Sequence, residues 1–91
     1  MLFVALGKVR AGTVQERTAR RLQWEYPEGA HVLAEYWLQT QNPNVIIVFE
    51  ADSMPPIMAS TSPWDDVFEF TIVPAVSAEQ GMEIARRFMA G

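Results

Sequence analysis

The stretch from Asn44 to Asp52 constrains the chain most. Val45 to Phe49 are five consecutive apolar residues, mostly β-branched, launched from Asn42-Pro43-Asn44 and running into Glu50 and Asp52. A run this short, bounded by a Pro/Asn turn and then by Ser53 and two prolines, predicts a strand covered on both faces rather than a helix. Such a strand needs neighbours on either side. The remaining sequence must therefore supply a sheet around it.

Leu2 to Val9 reads as a first strand, apolar until Lys8, with Ala11-Gly12 turning out of it. Thr13 and Glu16 then have the capping-box spacing, which predicts a helix running to about Glu25, where Tyr26 precedes Pro27 and leaves helical geometry. Val14, Thr18, Leu22 and Tyr26 share one stripe of that helix, the face expected to pack on the sheet, with Arg17, Arg20, Arg21 and Trp24 opposite. Ala30 to Thr40 alternates strictly: Val32, Ala34, Tyr36 and Leu38 on one face, His31, Leu33, Glu35, Trp37 and Gln39 on the other.

After the central stretch, Ser53 with Pro55 and Pro56 in the first turn predicts a short helix, Met54 to about Thr61, that carries Ile57 and Met58 inward. Val67 to Val73 is a fourth strand with Phe68, Phe70 and Ile72 on one face, closed by Pro74. Ser77 and Gln80 repeat the capping spacing at the head of a last helix, striped by Ala78, Met82, Ala85 and Met89 and widened by Phe88. The order is β-α-β-β-α-β-α.

A β-α-β-β-α-β order is the ferredoxin-like arrangement, an α+β fold of four antiparallel strands with both main helices on one face. Residues 1–91 form a single domain, and the expected strand order is 2-3-1-4. The apolar sets Val32/Ala34/Tyr36/Leu38, Val45/Ile47/Phe49 and Phe68/Phe70/Ile72 belong to the helix-covered core. The other face mixes Leu33, Trp37, Ile46, Val48, Val67 and Val73 with His31, Glu35, Glu50 and Glu69, too apolar for open water and too acidic for a dry core. A second subunit stacking its own sheet there would enclose a partly polar chamber. Alternation leaves the first strand unassigned, since it is apolar on both sides.

Composition narrows the function classes. Seven basic residues stand against eleven acidic ones, a net charge of −4, so the basic footprint that nucleic acid requires is missing. No cysteine is present, which removes disulfides, thiolate catalysis and cysteine-based zinc sites. The apolar opening Met1 to Leu6 has no basic segment before it and stops at Lys8. Nor does any apolar run approach the roughly 20 residues that span a bilayer, and the expectation is a cytoplasmic protein without a membrane partner. A short chain that is nearly half apolar and has no staple gains stability from association, which raises the expectation of a homodimer.

Met1-Leu2-Phe3, Trp37, the run Val48 to Ser53 and above all Trp64-Asp65-Asp66-Val67-Phe68-Glu69-Phe70-Thr71-Ile72-Val73-Pro74-Ala75-Val76 resemble a bacterial and archaeal family of small domains of unknown function. More loosely, the chain resembles the dimeric α/β-barrel superfamily that includes muconolactone isomerase, YCII-like proteins and cofactor-free antibiotic-biosynthesis monooxygenases. The resemblance implies a ferredoxin-like fold and a homodimer joined through its sheet faces, a dimeric α/β barrel. It carries no catalytic signature. Pro55-Pro56 and the scarcity of large residues in the second helix depart from the pattern.

Candidate chemistry follows from the mixed face. Glu35, Glu50 and Glu69 come from three strands and share it by phase, so enclosure would raise their pKa values and make them general acids or bases; at a hydrated or ion-paired rim they would do neither. Trp37 and Trp64, with Ile46, Val48 and His31, are the expected walls of a pocket for a small apolar or aromatic molecule, though aromatics equally serve as core or interface. A lone His31 with scattered carboxylates does not make a metal site, and no cofactor motif is present. Arg17, Arg20, Arg21 and Trp24 form either an anion or partner site or a solvated helix face. The readings are a binding module, a cofactor-independent isomerase or monooxygenase-like enzyme working through a buried Glu, and a purely structural interaction domain.

Overall fold

In a computed structural model, which describes residues 1–90, the central stretch becomes β3 (Val45–Glu50), an inner strand of a four-stranded antiparallel sheet. Its neighbours are β1 (Leu2–Val9) on one side and β2 (His31–Trp37) on the other, and β4 (Phe68–Ala75) completes the order β2-β3-β1-β4. This is the expected ferredoxin-like order. The two most continuously apolar strands, β1 and β3, take the inner positions where two neighbours satisfy their amides, and the strand containing Pro74 takes an edge.

The register assigns the faces. Phe3 pairs with Phe49 and Pro74, Ala5 with Ile47 and Ile72, and Gly7 with Val45 and Phe70, so these residues share one face. On it α2 (Met54–Thr61) inserts Ile57, 5 % exposed, among Ala5, Phe49 and Ala51. Leu2, Val4, Leu6, Ile46, Val48 and Val73 lie on the opposite face, which no helix covers. Met58 points outward at 56 % exposure rather than inward, because α2 meets the sheet along one edge only.

Register also overturns one expectation. Between Val32 and Ala34 the β2–β3 ladder shifts by one residue: Val32 pairs with Phe49, but Ala34 pairs with Val48, Glu35 with Ile47 and Trp37 with Val45. Leu33 is the extra residue of a β-bulge on an edge strand, and beyond it every side chain changes face. Glu35 and Trp37 therefore lie on the helix side, and Ala34 and Tyr36 lie on the open face with His31. The predicted grouping of Glu35 with Glu50 and Glu69 does not hold.

Helix α1 (Val14–Leu22) starts at Thr13, whose hydroxyl accepts from the Glu16 amide (3.1 Å) and donates to the Glu16 carboxylate (2.9 Å). It ends three residues before Glu25, and its packing face matches the predicted one only in part: Val14 and Thr18 face the sheet side as expected. Leu22 is 76 % exposed, whereas Arg17, Arg20, Arg21 and the following Trp24 turn inward. Arg20 and Arg21 find their acidic partners across the fold, in Asp66 and Glu35. Trp24 packs with Val45, Trp64 and Phe68, a second core cluster. Last, α3 (Ala78–Ala90) caps through the Ser77 hydroxyl, which accepts from the Gln80 amide (3.1 Å), and buries none of its residues.

Candidate functional site

Between α1 and the helix side of the sheet lies a cavity of about 330 Å3. Its floor is β-sheet: Glu35 and Trp37 from β2, Val45 and Ile47 from β3, Phe68 and Phe70 from β4. Val14, Arg17, Thr18 and Arg21 of α1 form the roof, and Trp24, Tyr26 and Trp64 close the sides. The exposed turn Gln39 to Gln41 and Trp37, 57 % exposed, mark the open side. The bulge at Leu33 makes this arrangement, since without it Ala34 and Tyr36 would occupy the floor.

Glu35 is the hub of the polar lining. Arg21 donates to it twice, Nε to Oε2 and Nη2 to Oε1, both at 3.0 Å, the fork-on-fork geometry that matches guanidinium to carboxylate. The Tyr26 hydroxyl donates to Oε1 (2.6 Å) and the Trp37 indole N–H to Oε2 (2.7 Å). Four donors thus meet one carboxylate. Burial opposes its ionisation, but the hydrogen bonds from Arg21, Trp37 and Tyr26 and the charge of Arg21 outweigh burial and hold the carboxyl below its usual pKa. Burial and then the bond to ionised Glu35 push the Tyr26 hydroxyl well above its ordinary value. At neutral pH the hub is a carboxylate acceptor with neutral Tyr26 and charged Arg21, and no member of it is poised to exchange a proton.

A second charged clasp fixes the roof to the side wall. Arg20 Nη1 and Nη2 each donate to Asp66 at 2.9 Å, Nη2 also meets the Pro63 carbonyl, and the guanidinium lies 4.8 Å from the centre of the Trp64 ring. Trp64 sits in a short 3-10 turn, Ser62–Trp64, and is 6 % exposed. It is a buried wall of the cavity. Edge-to-face contact with Trp24, 5.8 Å between centroids, and a tilted contact with Phe68 at 5.9 Å continue the aromatic wall.

The predicted site residues therefore divide into two groups. Glu35, Trp37 and Trp64 meet in the cavity; His31, Ile46, Val48, Glu50 and Glu69 lie on the opposite, open face of the sheet. Glu50 and Glu69 are exposed there, with no ion-pair partner among the described residues. Trp24, Arg17 and Arg21 belong to the cavity, although periodicity assigned them to the outer helix face; Tyr26 belongs to it too, in keeping with its place on the packing stripe. One signal pointed to them: the sequence places three arginines and a tryptophan on one helix face, a pairing that suits aromatic surroundings as well as solvent.

A family model described as a domain of unknown function, DUF3303, matches residues 1–89, which takes in every strand and almost all of α3. No curated protein and no solved structure matches the chain.

Proposed function

The chain belongs to the DUF3303 family, whose description assigns no activity, and from its own residues we propose that it is a binding module for a small, flat aromatic molecule held in the cavity beneath α1. One observation carries this reading. All three tryptophans of the chain, at positions 24, 37 and 64, converge on a single cavity with Tyr26, Phe68 and Phe70. Its volume of about 330 Å3 is at the small end of ligand pockets, and aromatic walls with a few fixed polar groups are what such pockets use. The site thus lies on the helix side of the sheet, and the chamber expected on the open face is not needed for it. An enzyme working through a buried Glu is the weaker reading: Glu35 has its acceptor positions filled, and Glu50 and Glu69 are outside the cavity.

The test uses the tryptophans as reporters. Titration of a neutral bicyclic probe, 2-naphthamide, is expected to change their emission saturably, and Trp37→Ala is expected to weaken binding at least tenfold while thermal stability changes little, Trp37 being half exposed. Emission unchanged up to millimolar probe would overturn the binding reading.

A homodimer through the open sheet face is a second reading, resting on a different observation. That face presents Leu2, Val4, Leu6, Ile46 and Val48, each only partly buried, with Tyr36 and Val73 exposed beside them, and α3 adds an apolar stripe whose Phe88 and Met89 are 82 % and 89 % exposed. Unburied apolar surface on this scale marks an interaction surface. A ferredoxin-like sheet with one bare face is also what the resemblance to dimeric α/β barrels implies.

A further inference from the structure

Building on the reading of the cavity as a small-molecule site, we propose that its ligand is an aromatic monocarboxylate and that Arg17 is the group that holds the carboxylate. Two guanidinium groups line the cavity, and they are in different states. Arg21 presents Nε and Nη2, the two donors that face a carboxylate side by side, to Glu35 at 3.0 Å each. Arg17 instead uses Nη1, which donates to the carbonyls of Gly12 (2.6 Å) and Ala11 (3.3 Å). Those bonds anchor the guanidinium at the head of α1. Its Nε and Nη2 have no partner among the described residues, and no carboxylate forms an ion pair with it. The donor pair that Arg21 uses on Glu35 is therefore open on Arg17.

Charge balance in the lining points the same way. Arg17 and Arg21 contribute two positive charges and Glu35 one negative, which leaves one positive charge in a chain whose net charge is −4. A single carboxylate neutralises it. A phosphate dianion would need a second free cation, and Arg21 is already neutralised by Glu35. Around this cation the walls are aromatic, with Arg17 itself 5.9 Å from the centre of the Phe68 ring, so the rest of the ligand is a ring system that stacks among Trp24, Trp37 and Trp64. A charge-assisted bond between a guanidinium and a carboxylate is stronger than a neutral one, so the acid is favoured over an uncharged isostere.

Isosteric probes separate this inference from the binding reading on which it rests. Binding of 2-naphthoate and of its neutral amide would be followed by tryptophan emission at pH 7, in the natural chain, in Arg17→Gln and in Arg17→Lys, with far-ultraviolet circular dichroism confirming that each variant folds. The natural chain is expected to bind naphthoate about 10- to 100-fold more tightly than the amide. Arg17→Gln is expected to abolish that preference, bringing the ratio of naphthoate to amide affinity to about one. Arg17→Lys keeps the charge without the fork and is expected to retain only part of the preference. Equal binding of acid and amide to the natural chain, or a preference that survives Arg17→Gln, overturns the carboxylate assignment while the cavity remains a binding site. Failure of both probes to bind overturns the two together.

Discussion

Glu35 shows how one side chain decides what the site can do. Its ionised form is stabilised by native partners, so its pKa is lower folded than unfolded. The associated stability is complete above the unfolded carboxyl value, about 4.3, and is lost as pH falls through the lower native value. Urea unfolding followed by tryptophan emission should therefore give a midpoint that falls between pH 5 and pH 3. Glu35→Gln leaves Arg21 without its counter-ion and should cost about 1–3 kcal/mol at pH 7. The gap between variant and natural chain should narrow in acid, where natural Glu35 is protonated as well. A constant gap from pH 7 to pH 3 would mean that the Arg21 pairing contributes nothing to stability.

Gly7 makes the complementary point in the core. It occupies the helix-side face of β1 opposite Val45 and Phe70, and a Cβ there would stand 2.5 Å from Val45 Cγ1 and 2.9 Å from Phe70 Cε1. Val45 is itself buried on an inner strand, so neither neighbour can move without disturbing the cavity floor. Gly7→Ala is expected to lower unfolding free energy by about 1–3 kcal/mol through overpacking, measurable by thermal or urea denaturation. An unchanged midpoint would show that the floor is looser than its geometry suggests.

At the scale of elements, the bulge at Leu33 is the decisive device. Leu33 is 51 % exposed and is the unpaired residue of the ladder. Deleting it should close β2 into a regular strand and leave Val32, Glu35 and Trp37 on the faces they already occupy. The expected loss is no more than about 1 kcal/mol, with the fluorescence response to naphthamide retained. In an unbulged strand the same deletion would turn Glu35 and Trp37 into a packed core and exchange them with Tyr36, a change on the order of 4 kcal/mol or more. Thermal denaturation of the deletion variant distinguishes the two.

The same bulge marks how far the sequence could be read. The order and type of elements were legible because each carries a strong local signal: the apolar run at β3, the Thr13 cap, the paired prolines after Ser53. Strand order followed from that order. The faces of β1, β3 and β4 then agree with simple alternation wherever alternation was informative. A bulge without glycine leaves no mark in an alternating sequence, so two of the main cavity residues were assigned to the wrong side. That single shift propagates to α1. Once Glu35 is on the helix side, an apolar stripe is no longer the best partner for the floor, and Arg21 replaces Leu22 against it. Helical periodicity alone has no access to a carboxylate contributed from another element.

For the whole molecule, the unsettled surface is the bare side of the sheet together with α3. The structure is elongated, 53 × 28 × 17 Å, and its buried apolar core is small: Ala5, Val45, Phe49, Ala51, Ile57, Trp64 and Phe68. Four strands spaced by about 4.8 Å, each about seven residues long, present on the order of 450 Å2 in projection. The 13 residues of α3 add about 200 Å2 for a cylinder about 10 Å wide. Side-chain relief raises the accessible area above the projected one, close to the ~800 Å2 per partner of a standard interface. The open face is thus large enough to be half of a stable dimer, and in the proposed dimer α3 would gain packing that it lacks within one chain. Sedimentation at micromolar concentration is expected to give twice the 10.3 kDa chain mass. Tyr36→Lys on the open face, where Tyr36 is 59 % exposed, and Phe88→Asp on α3 should each shift the population to monomer by placing a charge in the interface. Neither residue lines the cavity, so naphthamide binding should survive in both variants. A 10.3 kDa species at every concentration would remove the dimer and leave the cavity reading intact, because every residue that lines the cavity comes from one chain.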